Sequence, residues 1–348
     1  MKKRLNEYLQ DMDSLHYTQE QKNQLASAAI HAAELEEQQH NRMHRPVRRM
    51  VLVIAAALAI LIGTASATGT LKNLAEIFSP VLGSSEDQIE IMGAMGQPIG
   101  VSDTDNGITI TADGVIGDKY NACIVYTISW DEENTIPLPD NWQQNADTYM
   151  MFEFDDINLR DTQGSSFGTA WFTDNDPTDN AIQYCRTISG DAELLLGKVT
   201  ATFENLQYRS TDISEPDTIF EGDWELQFDI NYEDSSISLD SEKVFPYKGT
   251  HVTISNAIIS PIGVHIEIKV DTPSWDSEDL NNIPLKLTKT DGTVLDLTQK
   301  CGYYCWTSDD LIEFIMGKGG TFDEIIPLDE IESVTVGNVT YPVPHTAS

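Results

Sequence analysis

The chain has 348 residues, with 21 Lys or Arg against 56 Asp or Glu and a formal net charge of −35 at pH 7. Such an acidic surface disfavours nucleic acid, whose phosphates need Lys and Arg, and gives no support to a module for anionic lipid surfaces. The charge is unevenly spread. Residues 1–49 carry eight Lys or Arg against seven Asp or Glu, a net of +1, whereas residues 69–348 carry 13 against 49, a net of −36.

The first 49 residues predict two amphipathic helices. Leu5, Tyr8, Leu9, Met12 and Leu15 recur at spacings of three and four, one apolar stripe of a short helix. A turn follows near Ser14 to Tyr17. Thr18 then stands three residues before Gln21, a capping-box spacing, and Leu25, Ala28, Ala29, Ala32 and Leu35 share one face of the stretch that ends near Gln39. A segment this short cannot bury enough apolar surface to be very stable alone, so its stripes are expected to find a partner. His40 and His44, four apart beside Glu36 and Glu37, resemble half a zinc site. No cysteine accompanies them, and the expected reading is a polar helix face with neither metal nor cofactor.

Met50 to Thr68 is a 19-residue run without a charged side chain, directly after Arg42, Arg45, Arg48 and Arg49. At about 1.5 Å per residue it spans roughly 28 Å, enough for the hydrocarbon core of a bilayer. Four arginines before it and only Lys72 close behind predict an N-terminus in the cytoplasm. The competing reading is a signal peptide cleaved near Ala65-Ser66-Ala67. An n-region of 49 residues with its own helical pattern is far longer than export requires, so a retained single-pass anchor is the expectation.

Residues 69–98 read as a juxtamembrane connector, with short helical pieces at Leu71 to Val81 and Glu86 to Met95 broken by Pro80, Gly83 and Gly96. Strand patterns then dominate. Ile108 to Ala112 alternates, Asp113-Gly114 reads as a turn, and Ala122 to Trp130 is rich in Ile, Val, Tyr and Thr. Further strands are predicted at Tyr149 to Leu159, Phe167 to Thr173, Ala181 to Ile188 and Lys198 to Tyr208. Trp224, Leu226, Phe228 and Ile230 alternate with polar residues, which gives that strand one core face and one wet face. The acidic stretch Tyr232 to Lys243 lacks a pattern and reads as a boundary. Beyond it, Val264, Ile266, Ile268 and Val270 alternate with His265, Glu267 and Lys269, and hairpin turns are expected at Asp291-Gly292 and Gly337-Asn338. The fold expected is mainly β: a helical segment at 1–49, a transmembrane helix at 50–68, and two extracytoplasmic antiparallel β-sandwiches at 99–232 and 244–348.

Few features suggest chemistry. Only His251, His265 and His345 lie beyond the apolar run, and no nucleophile–base pair has a local signature, so an anchored hydrolase is the weakest reading and no catalytic residue is assigned. Cys123, Cys185, Cys301 and Cys305 all follow the run. The Cys301-Gly-Tyr-Tyr-Cys305 spacing leaves a local disulfide and two free thiols equally open. Thr173 to Asn180 clusters oxygen ligands but lacks a calcium-loop pattern and reads as an acidic hairpin tip. The six tryptophans could line a carbohydrate-binding face; Trp224 is expected in the core, leaving Trp142 and Trp275 as exposed candidates.

The basic "RPVRR" before the apolar run, the connector "LKNLAEIFSPVLG" and the stretch "GQPIGVSDTDNGITITADGVIGDKYNACIVYTI" resemble the membrane-anchored anti-sigma factors of Gram-positive bacteria that carry domain-of-unknown-function family 4179. The later residues resemble the immunoglobulin-like β domain that often follows. The resemblance implies that the N-terminal helices bind an extracytoplasmic-function sigma factor and release it on an outside signal. The zinc-binding His-x-x-x-Cys-x-x-Cys motif of the better-known anti-sigma domains is absent, so zinc dependence is not expected. On this reading Leu5, Tyr8, Leu9, Met12, Leu25, Ala29, Ala32 and Leu35 form the partner surface, in the helix-in-groove mode. The rival is an anchored extracytoplasmic binding or adhesion protein with an unknown ligand and no role in transcription.

Overall fold

The chain is represented by a computed structural model that describes residues 73–131, 152–160, 166–174, 176, 179–194, 196–208, 217–239, 242–270, 281–307 and 314–345. All belong to one unit, Thr68–Ser348. Among the described residues no helix is long and apolar enough to cross a membrane. The run Met50 to Thr68 and both predicted N-terminal helices lie outside the described residues.

Among the described residues two short helices come first. Helix α1 (Leu74–Leu82) and helix α2 (Glu86–Met95) each begin with a reciprocal capping box. In α1, Asn73 Oδ1 accepts from the Glu76 N–H at 2.9 Å and Glu76 accepts from the Asn73 N–H; Ser85 and Gln88 do the same for α2. Pro80 was expected to break the first piece, yet α1 continues through it for two more residues and ends at Gly83. Close to a helix end, the bond that a proline forfeits is a small part of the whole.

Among the described residues nineteen strands follow, in four antiparallel sheets. In sheet 1, β1 (Gly96–Asp105), β2 (Ile108–Gly117), β3 (Asn121–Trp130), β7 (Ala181–Gly190) and β5 (Ser166–Phe167) lie in that order, and β6 (Ala170–Thr173) also pairs with β7. Sheet 2 is β4 (Phe152–Arg160), β8 (Gly197–Tyr208) and β9 (Asp217–Ile230). Sheet 3 runs β10 (Ile237–Ser238), β12 (Thr250–Ser260), β13 (Gly263–Val270), β17 (Phe314–Thr321), β16 (Gly302–Thr307), with β11 (Lys243–Tyr247) added to β12. Sheet 4 is β15 (Val294–Asp296), β14 (Leu285–Lys289), β18 (Ile331–Val336) and β19 (Val339–Pro342).

Sheets 1 and 2 enclose one core. Trp224, Leu226, Phe228 and Ile230 all point into it, as their alternation requires, and Trp224 Nε1 donates to the Ile108 carbonyl at 3.0 Å. The open edges of β1 and β9 are joined by side chains. Asp103 and Asp105 accept from the backbone N–H groups of Glu225 and Asp223, and Gln97 accepts from that of Asn231. These contacts satisfy edge donors that would otherwise need water. Sheets 3 and 4 enclose a second core, which includes Val252, Ile254, Ile266, Leu285, Val334 and Tyr341.

One turn reading changes. Asp113-Gly114 is not a hairpin turn: both residues lie inside β2, where the register to β3 shifts between Ala112 and Gly114. The extra residue of this bulge moves the core-facing phase from Ile108, Ile110 and Ala112 to Val115. The hairpin turn sits earlier, at Asn106-Gly107, where φ is 50° and 79° as a two-residue turn with both residues left-handed requires. The turns expected at Asp291-Gly292 and Gly337-Asn338 are present between β14 and β15 and between β18 and β19.

The stretch Tyr232 to Lys243 is also not a bare linker. Tyr232 is buried in the first core, Ile237-Ser238 forms β10, and Leu239 is buried in the second core.

Candidate functional site at the seam between the sandwiches

A third apolar cluster lies where the two sandwiches and the connector meet. Ile77, Phe78 and Leu82 of α1 and Met92 and Met95 of α2 pack with Ile116, Cys123, Val125 and Cys185 of the first sandwich and with Ile262 and Ile325 of the second. The connector is also pinned by polar bonds. The Ile325 N–H donates to the Leu82 carbonyl at 2.8 Å, and Gln88 Nε2 donates to the Ile325 carbonyl at 2.9 Å.

Beside this cluster is a buried polar node. Asp118, in the turn between β2 and β3, accepts through Oδ1 from the N–H groups of Tyr120 and Asn121, both at 2.7 Å. Its Oδ2 accepts from the Asn121 side-chain amide at 3.1 Å and from the hydroxyl of Ser260, which ends β12 in the other sandwich. Ser260 Oγ in turn accepts from the N–H groups of Ile262 and Gly263. Ser189 donates to Asn121 Oδ1 at 2.8 Å, and the Tyr232 hydroxyl donates to the Asp118 carbonyl at 3.0 Å. Burial raises the Asp118 pKa, and the hydrogen bonds from Ser260, Tyr120 and Asn121 oppose that rise. Gly263 permits the close approach: a Cβ there would stand 2.6 Å from the Gly320 carbonyl oxygen and 2.9 Å from the Asn121 amide nitrogen.

An aromatic stack continues the seam. The Tyr120 and His265 rings lie 3.7 Å apart and 8° from parallel, and the Tyr304 hydroxyl is 3.3 Å from His265 Nε2. Asn256 reaches the Tyr120 hydroxyl from β12. The alternation of β13 placed His265 on a wet face, but it is only 3% exposed. The reason is tertiary: this end of sheet 3 is covered on its outer side by the first sandwich. Burial pushes the imidazole pKa down to about 3 and keeps the ring neutral. With its polar atoms paired inside the protein, the node can fasten two domains and hold a carboxylate out of water.

An open groove of about 690 Å³ runs along the same seam. Its walls include Val81 of α1, Trp171 and Thr187 of sheet 1, and Gln299, Lys300 and Phe322 of the second sandwich.

The residues singled out from sequence fare unevenly. Leu5, Tyr8, Leu9, Met12, Leu25, Ala29, Ala32, Leu35, His40, His44, Trp142 and Trp275 lie outside the described residues. Cys301 and Cys305 are free thiols, the first buried and the second exposed. The residues from Gly302 onward are extended in β16, which sets the two cysteines on the order of 10 Å apart, beyond the roughly 7 Å reach of a disulfide. Around Asp174, Asp176 and Asp179, side chains bond nearby backbone N–H groups, the ordinary chemistry of a turn. Among the described residues no group of three His, Cys, Asp or Glu is arranged to hold a metal ion. Asp118, Asn121, Ser260 and Tyr304 had no sequence signal beyond turn and strand composition, because their partners are up to 142 residues away.

The fold and the seam define a class: a mainly β protein of antiparallel sheets, with two cores locked together by a helical connector. More narrowly, residues 44–129 match the family described as "Domain of unknown function (DUF4179)". That match runs from the arginine-rich flank through the apolar run and the connector to the end of β3. No curated protein matches the chain. Among solved structures, the chain is similar to "The crystal structure of the conserved domain protein from Bacillus anthracis", at 12% identity and a TM-score of 0.43, over 77% of this chain and 80% of that one.

Proposed function

We propose that this chain is a single-pass membrane anti-sigma factor. Its cytoplasmic N-terminal helices hold an extracytoplasmic-function sigma factor through Leu5, Tyr8, Leu9, Met12, Leu25, Ala29, Ala32 and Leu35, and its β-rich portion receives a signal outside. The observation that carries this reading is the position of the connector. Helices α1 and α2 follow the apolar run in sequence and are built into the seam between the sandwiches. A change in how the sandwiches meet therefore acts on the chain segment next to the membrane. A tethered adhesion module has no need of such coupling. The family match supports the same unit, since it spans basic flank, apolar run, connector and first strands together.

The test is co-expression of the full chain with each extracytoplasmic-function sigma factor of its source organism, read as sigma-dependent transcription. One sigma factor should be repressed, and Leu9→Asp with Leu25→Asp should relieve the repression. Failure to repress any of them overturns the proposal.

A further inference from the structure

The groove along the seam carries chemistry that sigma-factor binding does not use. Trp171 is half-buried: part of its indole packs against the Cys123–Cys185 cluster, and the remainder lines the groove. Around it stand the hydroxyls of Thr169 and Thr187 and the exposed amide of Gln299. Thr187 Oγ1 accepts from the Thr169 N–H at 2.9 Å, so one wall is a fixed polar surface.

The charges present cancel, because Lys300 is ion-paired with Asp323 on the opposite wall. The surroundings are strongly acidic, which disfavours an anionic ligand. At about 690 Å³ the groove falls in the roughly 300–1,000 Å³ range of small-molecule sites.

An aromatic face beside fixed hydroxyls and one side-chain amide, with no uncompensated charge, matches a ligand that has an apolar C–H face and a rim of hydroxyls. We propose that this groove binds a short uncharged oligosaccharide, one ring lying on Trp171 and its hydroxyls bonded to Gln299 and the threonine wall. Pro80 and Val81 of α1 line the same groove, so the ligand touches the connector directly. The proposal does not depend on the anti-sigma reading, and binding is measured without any sigma factor.

The experiment titrates the full chain, in micelles of a detergent without a sugar head group, with chitotriose, cellotriose and a charged hexuronate trimer. Tryptophan fluorescence and saturation-transfer NMR report binding. At least one neutral trimer should bind saturably, and Trp171→Ala and Gln299→Ala should each weaken it by about tenfold, close to 1.4 kcal/mol. Gln299 is exposed, so its variant keeps the test valid if Trp171→Ala misfolds. No saturable binding of either neutral trimer, binding of the charged trimer alone, or binding unchanged in Gln299→Ala overturns the proposal.

Discussion

The hydroxyl of Ser260 donates to Oδ2 of Asp118 across the seam, joining residues 142 positions apart, with Ser260 0% and Asp118 2% exposed. The bond ties the β2–β3 turn of one sandwich to the end of β12 in the other, and it helps balance the cost of burying a carboxylate.

Removing either partner should destabilise the seam unequally. Ser260→Ala deprives Asp118 of one donor and two backbone N–H groups of their acceptor, at about 1–3 kcal/mol. Asp118→Ala leaves at least four donors without their acceptor and should cost more, about 3 kcal/mol or above. Urea unfolding of both single variants and the double variant checks this; the double variant should lose less than the sum, because the pair is coupled.

Acid should weaken the fold through His265. Its folded pKa of about 3 lies below the ordinary 6.5, so the unfolded chain takes up a proton first. Stability is therefore complete above pH 6.5 and is lost as pH falls from there towards 3, at up to about 1.4 kcal/mol per pH unit. Asp118 acts the other way, since a raised carboxyl pKa favours the fold when protonated. His265→Phe, which keeps a ring against Tyr120, should flatten the slope between pH 6 and 4 in chemical denaturation series.

The described cysteines should react in two classes. Cys305 is exposed, whereas Cys123, Cys185 and Cys301 are buried, and burial pushes the thiols of Cys123 and Cys301 up to about 12. In the native protein a thiol reagent should modify one cysteine quickly and the other three only on unfolding. Melting should be insensitive to dithiothreitol.

Gly317→Ala should disturb the aromatic stack rather than the strand. A Cβ at Gly317 would fall 1.9 Å from the Tyr304 hydroxyl oxygen, so the tyrosine must swing away from His265. A shifted His265 imidazole signal in NMR, with destabilisation of about 1–3 kcal/mol, is the expected result.

Phe78→Ala should loosen the connector. Phe78 is fully buried among residues of both sandwiches, and its truncation should cost about 3–5 kcal/mol. Hydrogen exchange in α1 should rise more than in β9, which takes no part in that cluster.

What the sequence determined by itself was local and periodic. The alternation from Trp224 to Ile230 placed four side chains in a core, Asp291-Gly292 and Gly337-Asn338 marked turns, and the uneven charge separated a near-neutral start from an acidic remainder. Each of these depends on neighbours a few residues apart. The tertiary structure decided the rest. Asp113-Gly114 has the composition of a turn, yet pairing with β1 and β3 makes it a bulge. His265 has the period of a wet face, yet a second sandwich covers that face. Asp118, Ser260 and Trp171 gain their roles only from the seam, since a hydrogen bond over 142 positions or a groove between sheets leaves no period in the chain.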